Sequence, residues 1–327
     1  MDLLLTLNLS ISELFNPLTA AYILCAIGLS VHFGYTGLLN FGQAAFAAVG
    51  AYGMAIGVLT LKLPLLAAMG FALLCVVLFA LILGIPTLRL RADYLAIVTI
   101  AASEVFRYLM STSLFAEVTG GSNGLSQFGY EFYTWNPVPK GQYNLGLFTW
   151  TEEEVWLRIV AFSAVALVAV LVWLMMRSPW GRVMKGIRED EDAVRSLGKN
   201  VFAYKLQSLI IGGLFAGMGG IIFVISMSNV QPSVWVTTFT FMIWTVLLLG
   251  GAATVLGPIA GGMVFFVLWT LTNEILAGMV AMKWLPFLDQ PQVAQIRFIL
   301  IGLALMLLVV FRPQGMFGNK KELRFNG

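Results

Sequence analysis

The sequence predicts an all-α polytopic integral membrane protein. Of its 327 residues, 59% are hydrophobic and 11% are charged, whereas a soluble domain carries about 25% charged residues. So few charges cannot cover a soluble globule of this size. The high hydrophobic content also excludes an intrinsically disordered chain. A bilayer core of roughly 30 Å requires about 20 apolar residues in a helix, and several runs of this kind recur along the chain.

These runs predict about nine transmembrane helices, within a range of eight to ten, in a single transmembrane domain that covers residues 1–327. The fourth span carries Glu104 and Arg107, and residues 1–17 are either an external amphipathic helix or part of a tenth span. The predicted spans are Leu18–Phe33, Leu38–Leu59, Pro64–Ile85, Leu95–Met110, Val155–Met176, Leu206–Met227, Trp235–Gly250, Leu256–Leu276 and Ala294–Phe311.

The distribution of basic residues predicts the orientation, because cytoplasmic segments of membrane proteins are rich in Lys and Arg. Thirteen of the 19 Lys and Arg residues lie in 86–94, in 177–205 and after Phe311. With nine spans, all three segments lie on one side of the membrane. The N-terminus is therefore predicted outside and the C-terminus in the cytoplasm.

Two polar segments are too long to be simple turns, and segments of this length are usually functional or disordered. Residues 111–154 are rich in Gly and aromatic residues, which predicts an ordered external loop. Residues 177–205 carry alternating charge, which predicts short helices on the cytoplasmic side. Four acids at 189–192 suit the positive end of a helix dipole, and Gly198 can end that helix with a left-handed cap.

Glycines and buried polar residues indicate where a transport pathway would run. Six glycines fall between Gly34 and Gly57, and Asn40, Gly42 and Gln43 lie among them. Broken helices with polar groups at membrane depth are typical of transport pathways, so these three residues are candidates for the pathway. A second break is predicted at Gly257–Gly262.

Glu104 is a further pathway candidate. Glu104 and Arg107 are three residues apart and share a helix face. The pair either lines a gate or forms a structural ion pair near the external interface. Both interpretations remain open at this point.

Several function classes are excluded or disfavoured by what the sequence lacks. It has no GxxxxGK[ST] phosphate loop and no run of buried acids and histidines typical of a proton relay. One histidine, His32, and two cysteines, Cys25 and Cys75, offer no metal-ligand spacing, so no metal or cofactor is predicted. The net charge of +3 does not indicate a nucleic-acid partner. A transporter that takes its energy from a partner is favoured over a secondary transporter, a channel or an enzyme, and no catalytic residues are expected.

Four stretches of the sequence carry a family resemblance. In order and spacing along nearly the whole chain they are similar to the LivM-like membrane permease subunits of branched-chain amino acid ABC importers. The stretches are Gly34–Phe46 with Gly50-Ala51-Tyr52, Thr119–Leu125, Gly181–Gly198 running on through Tyr204-Lys205, and Arg312–Gly318.

The resemblance implies an ABC importer permease fold in a bacterial cytoplasmic membrane, with leucine, isoleucine and valine as substrates. It implies a second, related permease subunit, two cytoplasmic ATPase subunits that hydrolyse ATP, and an extracytoplasmic substrate-binding protein. Because related permeases carry urea or short amides, a urea or amide importer is the alternative.

The resemblance also implies that residues 177–205 contain the coupling helices that bind the ATPases. The usual pattern is Glu-Ala-Ala, three residues, then Gly; here Asp192-Ala193-Val194 is followed three residues later by Gly198. The candidate ATPase-coupling residues are Gly181, Arg182, Arg188, Glu189, Asp190, Glu191, Asp192, Ala193 and Gly198.

Overall fold

The computed structural model describes residues 3–90, 92–145, 148–282, 290–312 and 314–318. Helices form most of this part of the chain, as predicted. They are α1 Leu3–Ser12, α2 Pro17–Leu29, α3 Gln43–Leu59, α4 Leu65–Thr87, α5 Ala92–Ser111, α6 Ala116–Thr119, α7 Tyr130–Thr134, α8 Glu152–Arg177, α9 Pro179–Glu189, α10 Glu191–Ser196, α11 Val201–Met227, α12 Thr237–Gly250, α13 Leu256–Ala281 and α14 Gln290–Phe311.

Within the described residues, six stretches of helix are long and apolar enough to cross a membrane. The helices α3 and α12 are apolar but shorter, with 17 and 14 residues. The α14 helix lies at the ninth predicted span, so each predicted span overlaps one helix. The six long stretches are Pro17–Tyr35, Leu65–Thr87, Tyr94–Ser111, Glu152–Arg177, Val201–Met227 and Leu256–Ala281.

The N-terminal segment forms the separate helix α1 rather than an extension of α2. A turn at Glu13–Phe15 follows α1, and Asn16 caps α2 by accepting a hydrogen bond from the Leu18 N–H at 3.0 Å. With 10 residues, α1 is about half as long as a transmembrane helix needs to be.

The core of the bundle is formed by α2, α3 and α11. In the apolar windows of the stretch 17–35 and of α11, 89% and 78% of the residues are buried, against 28% in α4. Helices that are apolar on all sides lie at the centre of a bundle. The outer helices present apolar side chains away from the protein, as lipid-facing helices do.

Glycines let the central helices approach to backbone contact. Gly50 of α3 faces Gly217 of α11, and Gly28 of α2 faces Gly212 of α11. A Cβ added to Gly50 would lie 2.6 Å from the Gly217 Cα, closer than any normal carbon contact. The small-residue packing expected inside a membrane therefore defines the centre of this fold.

The first predicted break is present, and the helix that follows it begins later than predicted. The chain leaves α2 through a π-helical turn, Ser30–Tyr35, and helix α3 begins at Gln43 rather than at Leu38. Residues Gly37–Gly42, hereafter the first break, are not helical. Gly37 has φ +77°, a conformation that favours glycine.

The predicted position of the second break was wrong. Gly257–Gly262 lies inside α13, where Pro258 is tolerated because it occupies the first turn. The non-helical residues are Gly251–Val255, hereafter the second break, with φ +112° at Gly251 and +62° at Ala253. The glycines after it serve helix packing instead, since a Cβ on Gly261 would lie 2.9 Å from the Gly250 Cα.

Substituting Gly50 tests the central packing. The Gly50→Ala change places a methyl group against the Gly217 backbone, so we expect it to lower the free energy of unfolding by about 1–3 kcal/mol. The matched control is Gly70→Ala in α4, where an added Cβ meets no atom within 4 Å and where alanine favours the helix. The measurement is denaturant unfolding in detergent; equal stability of the two variants would contradict this account of the core.

Candidate functional site

The first break is held by a buried hydrogen-bond network centred on Asn40, which is 0% exposed. The Asn40 Nδ2 donates to His32 Nδ1 at 3.1 Å and to Gln43 Oε1 at 2.9 Å. Its Oδ1 accepts from the Gly42 N–H at 2.8 Å. One side chain therefore connects the π-helical turn before the break to the first residue of the helix after it.

The two partners of Asn40 extend the network to neighbouring helices. With Nδ1 accepting from Asn40, the neutral His32 ring carries its proton on Nε2, which lies 3.1 Å from the Leu209 carbonyl of α11. The Gln43 Nε2 donates to the Cys25 carbonyl of α2 at 3.0 Å. His32 and Gln43 are each 0% exposed, as Asn40 is.

Three further side chains form hydrogen bonds with the backbone of the break and of the first turn of α3. The Phe41 N–H donates to Thr99 Oγ1 at 3.0 Å, the Ala44 N–H to Thr240 Oγ1 at 3.0 Å, and the Trp244 Nε1 to the Asn40 carbonyl at 3.3 Å. These partners lie on α5 and α12. Non-helical backbone at membrane depth requires such partners because the hydrocarbon offers none.

Gly42 is the third pathway candidate, and it lies against the backbone of α5. A Cβ at Gly42 would approach the Thr99 carbonyl carbon to 3.0 Å. The structure thus brings Asn40, Gly42 and Gln43 together, as the sequence predicts, and places all three in the protein interior. Their role in the transport pathway stays a prediction.

Glu104 lies apart from this cluster, towards the other end of α5. Its carboxylate pairs with Arg107 Nη2 at 2.7 Å and accepts a hydrogen bond from Thr237 Oγ1 at 2.9 Å. The Arg107 guanidinium also stacks on the Tyr108 ring at 4.3 Å. Because Thr237 is the first residue of α12, Glu104 joins two helices, and this arrangement favours the structural interpretation over a gate.

The loop that follows α5 is ordered, as predicted. Gly120, Gly121 and Gly124 have positive φ angles, and Thr119 Oγ1 donates to the Met110 carbonyl at 3.0 Å. Strand β1, Leu125–Ser126, pairs antiparallel with β4, Asn229–Val230. Further along, β2, Gln142–Leu145, pairs with β3, Phe148–Thr151. The β1–β4 pair fixes this loop to the segment between α11 and α12.

The charged segment forms two short helices, α9 and α10, which we call the coupling element. Asp190 ends α9 and caps α10, because its Oδ1 accepts from the Asp192 and Ala193 N–H groups, both at 3.0 Å. Gly198 ends the segment with φ +75°. The glycine cap is therefore confirmed, and three of the four acids, residues 190–192, stand at the start of α10, whereas Glu189 is the last residue of α9.

Ion pairs stiffen the coupling element. Arg195 pairs with Glu191 at 2.8 Å and with Asp192 at 2.9 Å. Glu191 also pairs with Lys205, the fifth residue of α11. A small apolar cluster of Ile187, Val194 and Val201 lies beneath. The element is thereby fixed to the start of α11.

The candidate coupling residues divide between two faces. The side chains of Glu189 and Asp192 are 74% and 87% exposed. Gly181 and Arg188 face inward, and Glu191 is intermediate. The other exposed candidates are Arg182, Asp190, Ala193 and Gly198. An exposed charged surface is available to a partner on one face only.

The inward face contacts the π-helical turn before the first break. Met184 Sδ, which is fully buried, accepts from Thr36 Oγ1 at 3.4 Å, and Thr36 also bonds Ser208 Oγ at 2.7 Å. Arg188 Nη1 donates to the Gly34 carbonyl at 2.5 Å. Sequence reasoning missed Thr36, Met184 and Ser208. The apolar spacing of Val183, Met184 and Ile187 indicates an inward face but not what it contacts.

The π-helical turn before the first break contacts the second break. A Cβ at Gly34 would lie 3.0 Å from the Ala253 Cα of the second break. The C-terminal motif closes this region from another side, because the Met316 and Phe317 N–H groups donate to the Leu249 and Gly250 carbonyls at 3.0 and 2.9 Å. Three of the four family-like stretches therefore meet at one end of the bundle.

The chain is similar in sequence to known membrane transport proteins. The family model of the permease component of branched-chain amino acid transport systems matches residues 15–311. The chain is 30% identical over 311 residues to the high-affinity branched-chain amino acid transport permease LivM of Escherichia coli, covering 91% of this chain and 68% of that protein. It is 23% identical over 339 residues to a probable LivM of Methanocaldococcus jannaschii, with 91% of each chain covered.

A more distant relative is the nucleoside ABC transporter permease NupC of Lactococcus lactis, 26% identical over 204 residues, with 59% of this chain and 60% of that protein covered. The family and the apolar helices together make this chain a multi-pass protein of the inner membrane. The chain belongs to the family of permease components of branched-chain amino acid transport systems.

Proposed function

We propose that this chain is the permease subunit of an ATP-driven importer of leucine, isoleucine and valine. The observation that carries the proposal is the match of residues 15–311 to the family of branched-chain amino acid permeases. The relatives named LivM extend the same match over most of the chain. A urea or short-amide substrate is not favoured.

The chain forms the pathway together with a second, related permease subunit. Two cytoplasmic ATPase subunits bind the exposed face of the coupling element, and an extracytoplasmic protein delivers the substrate. Nine helices cross the membrane, with the N-terminus outside and the C-terminus in the cytoplasm. The positive charge of residues 177–205 supports this orientation.

The buried network at Asn40 positions the first break beside the pathway. Each member of the network has its hydrogen-bonding groups satisfied by protein. A broken helix fixed in this way is a stable element that can move as a unit during transport. Substrate contact by Asn40, Gly42 or Gln43 requires that this element turn toward the pathway in another state of the cycle.

Uptake of labelled leucine tests the substrate. Cells that express the whole transporter are expected to take up labelled leucine, and omission of this subunit is expected to abolish that uptake while leaving urea uptake unchanged. Labelled urea, measured side by side, is the control. Loss of urea uptake in place of leucine uptake would contradict the proposed substrate and leave the permease role intact.

Charge reversal on the exposed face tests the coupling element. The double variant Glu189→Lys with Asp192→Lys is expected to abolish substrate-stimulated ATP hydrolysis, because it reverses the charge of two side chains that are 74% and 87% exposed. The permease itself should unfold at the wild-type temperature, since exposed ion pairs contribute at most about 1 kcal/mol. Persistent coupling in this variant would show that the ATPases bind elsewhere.

Removing the Asn40 amide tests the network. Asn40→Ala leaves His32 Nδ1, Gln43 Oε1 and the Gly42 N–H without their partner, and each unsatisfied buried group costs about 1–3 kcal/mol. We expect reduced stability and reduced transport. Asn144→Ala, at an exposed position of β2, is the matched control. Undiminished transport with alanine at both Asn40 and Gln43 would refute a role for either residue in the pathway.

A further inference from the structure

Gly181 and Arg188 are the candidate coupling residues that face inward, and Arg188 is the charged one. It lies in the last turn of α9, its side chain is 13% exposed, and its Nη1 donates to the Gly34 carbonyl at 2.5 Å. The only acid near its other nitrogen is Glu189, at 3.9 Å, among the ion pairs of the described residues. Hydrogen bonds donated by a guanidinium are about twice as strong as neutral ones.

We infer that Arg188 is a positioning residue that ties α9 to the π-helical turn before the first break, so that the coupling element and the break move as one body. The inference rests on the proposed function and adds to it the residue that carries motion inward. Arg188 acts on the permease backbone, whereas Glu189 and Asp192 act on the ATPases.

The backbone around Gly34 is suited to a donor from outside its own helix. The N–H groups of Gly37 and Leu38 donate backward to the Phe33 and His32 carbonyls, at 3.1 and 2.8 Å. Arg188 supplies its own N–H to the Gly34 carbonyl. The hydrogen bond from Arg188 is therefore accepted by a backbone carbonyl of the π-helical turn. Such turns are frequent at functional sites.

Two further contacts make the attachment continuous. Met184, one turn before Arg188, accepts the hydrogen bond from Thr36. A Cβ at Gly37 would lie 3.2 Å from Arg188 Cγ, so the arginine stem packs on the first residue of the break. Residues 34, 36 and 37 thus all contact α9, and together they form one packed unit. Packed units of this kind shift as rigid bodies.

The unit has space beside it. A cavity of about 280 Å³ separates Arg188, Ile187 and Gly37 from Leu88, Leu90 and Leu95 at the α4–α5 connection. On another side Gly34 packs against Ala253 of the second break. Movement of α9 therefore displaces both breaks, with the cavity as the volume into which the unit can move.

The experiment uses the complete transporter reconstituted in nanodiscs, with ATP hydrolysis measured with and without the substrate-loaded binding protein. Arg188→Ala is expected to retain the ATPase subunits and basal hydrolysis but to lose stimulation by about tenfold, the effect of one charge-assisted hydrogen bond on a conformational equilibrium. Arg188→Lys, which keeps one donor, should recover part of the stimulation. Arg177→Ala, whose guanidinium stacks on Trp173 at 3.9 Å, is the matched control and should behave as the wild type.

A disulfide tests movement as one body. An added Gly37 Cβ lies 3.7 Å from the Arg188 Cβ, within the 3.5–4.5 Å range of disulfides. When oxidised, the double variant Gly37→Cys with Arg188→Cys should keep wild-type stimulation of ATP hydrolysis, because the disulfide replaces the hydrogen bond from Arg188 to Gly34. When the disulfide is reduced, stimulation should fall to that of Arg188→Ala. Gly37→Cys alone is the control for strain at its positive φ angle.

The outcomes separate the two proposals. Absence of stimulation in the wild-type complex overturns the proposed function and this inference with it. Wild-type stimulation in Arg188→Ala overturns the inference alone, as does loss of the ATPase subunits or of the folded permease, which would give Arg188 a docking or structural role. Loss of stimulated ATP hydrolysis in the oxidised double cysteine variant would show that α9 must slide past the break. That result would overturn movement as one body.

Discussion

The structure depends on one constraint: a backbone that leaves the helix inside a membrane must find all its hydrogen-bond partners within the protein. Residues Gly37–Gly42 find partners in the Asn40 side chain, in Thr99 of α5 and Trp244 of α12, and in backbone carbonyls of the π-helical turn. Asn40 has the central position because its amide donates twice and accepts once at the point where the chain turns into α3. The buried residues His32, Asn40 and Gln43 therefore lie where the helix is interrupted. An apolar side chain at any of these positions would leave a buried group unpaired.

The same constraint explains why the core is made of small residues. The side chains of Thr99 and Thr240 are short, so the helices that carry them must lie close to the break. Gly50 against Gly217 and Gly42 against Thr99 permit that approach. Close packing at the glycines is thus what allows the polar side chains to reach the break. A larger residue at Gly42 would push α5 away and separate Thr99 Oγ1 from the Phe41 N–H.

The fold class, the helix at each predicted span and the two short helices of the charged segment could be predicted because each follows from local pattern. Apolar length marks a span, Asp190 and Gly198 mark helix ends, and Asn40 in a glycine-rich run marks a break. The second break was misplaced because Gly257-Pro258 is equally compatible with a first helical turn, and only the contact with Gly250 decides between the two. The contacts from Met184 to Thr36 and from Arg188 to Gly34 join residues about 150 positions apart. No local pattern specifies such contacts.

The division of the coupling element into two faces bears on how an importer of this family can be driven. Charges on the exposed face give recognition and orientation, but exposed pairs are weak and screened by salt. Force can be carried only by contacts that resist displacement, and these lie on the inward face, where Met184 and Arg188 are shielded from water. A partner that moves α9 therefore acts on the turn at Gly34, and through Ala253 on the second break. The turn before the first break is therefore in contact with the second break inside this chain, whatever partner moves α9.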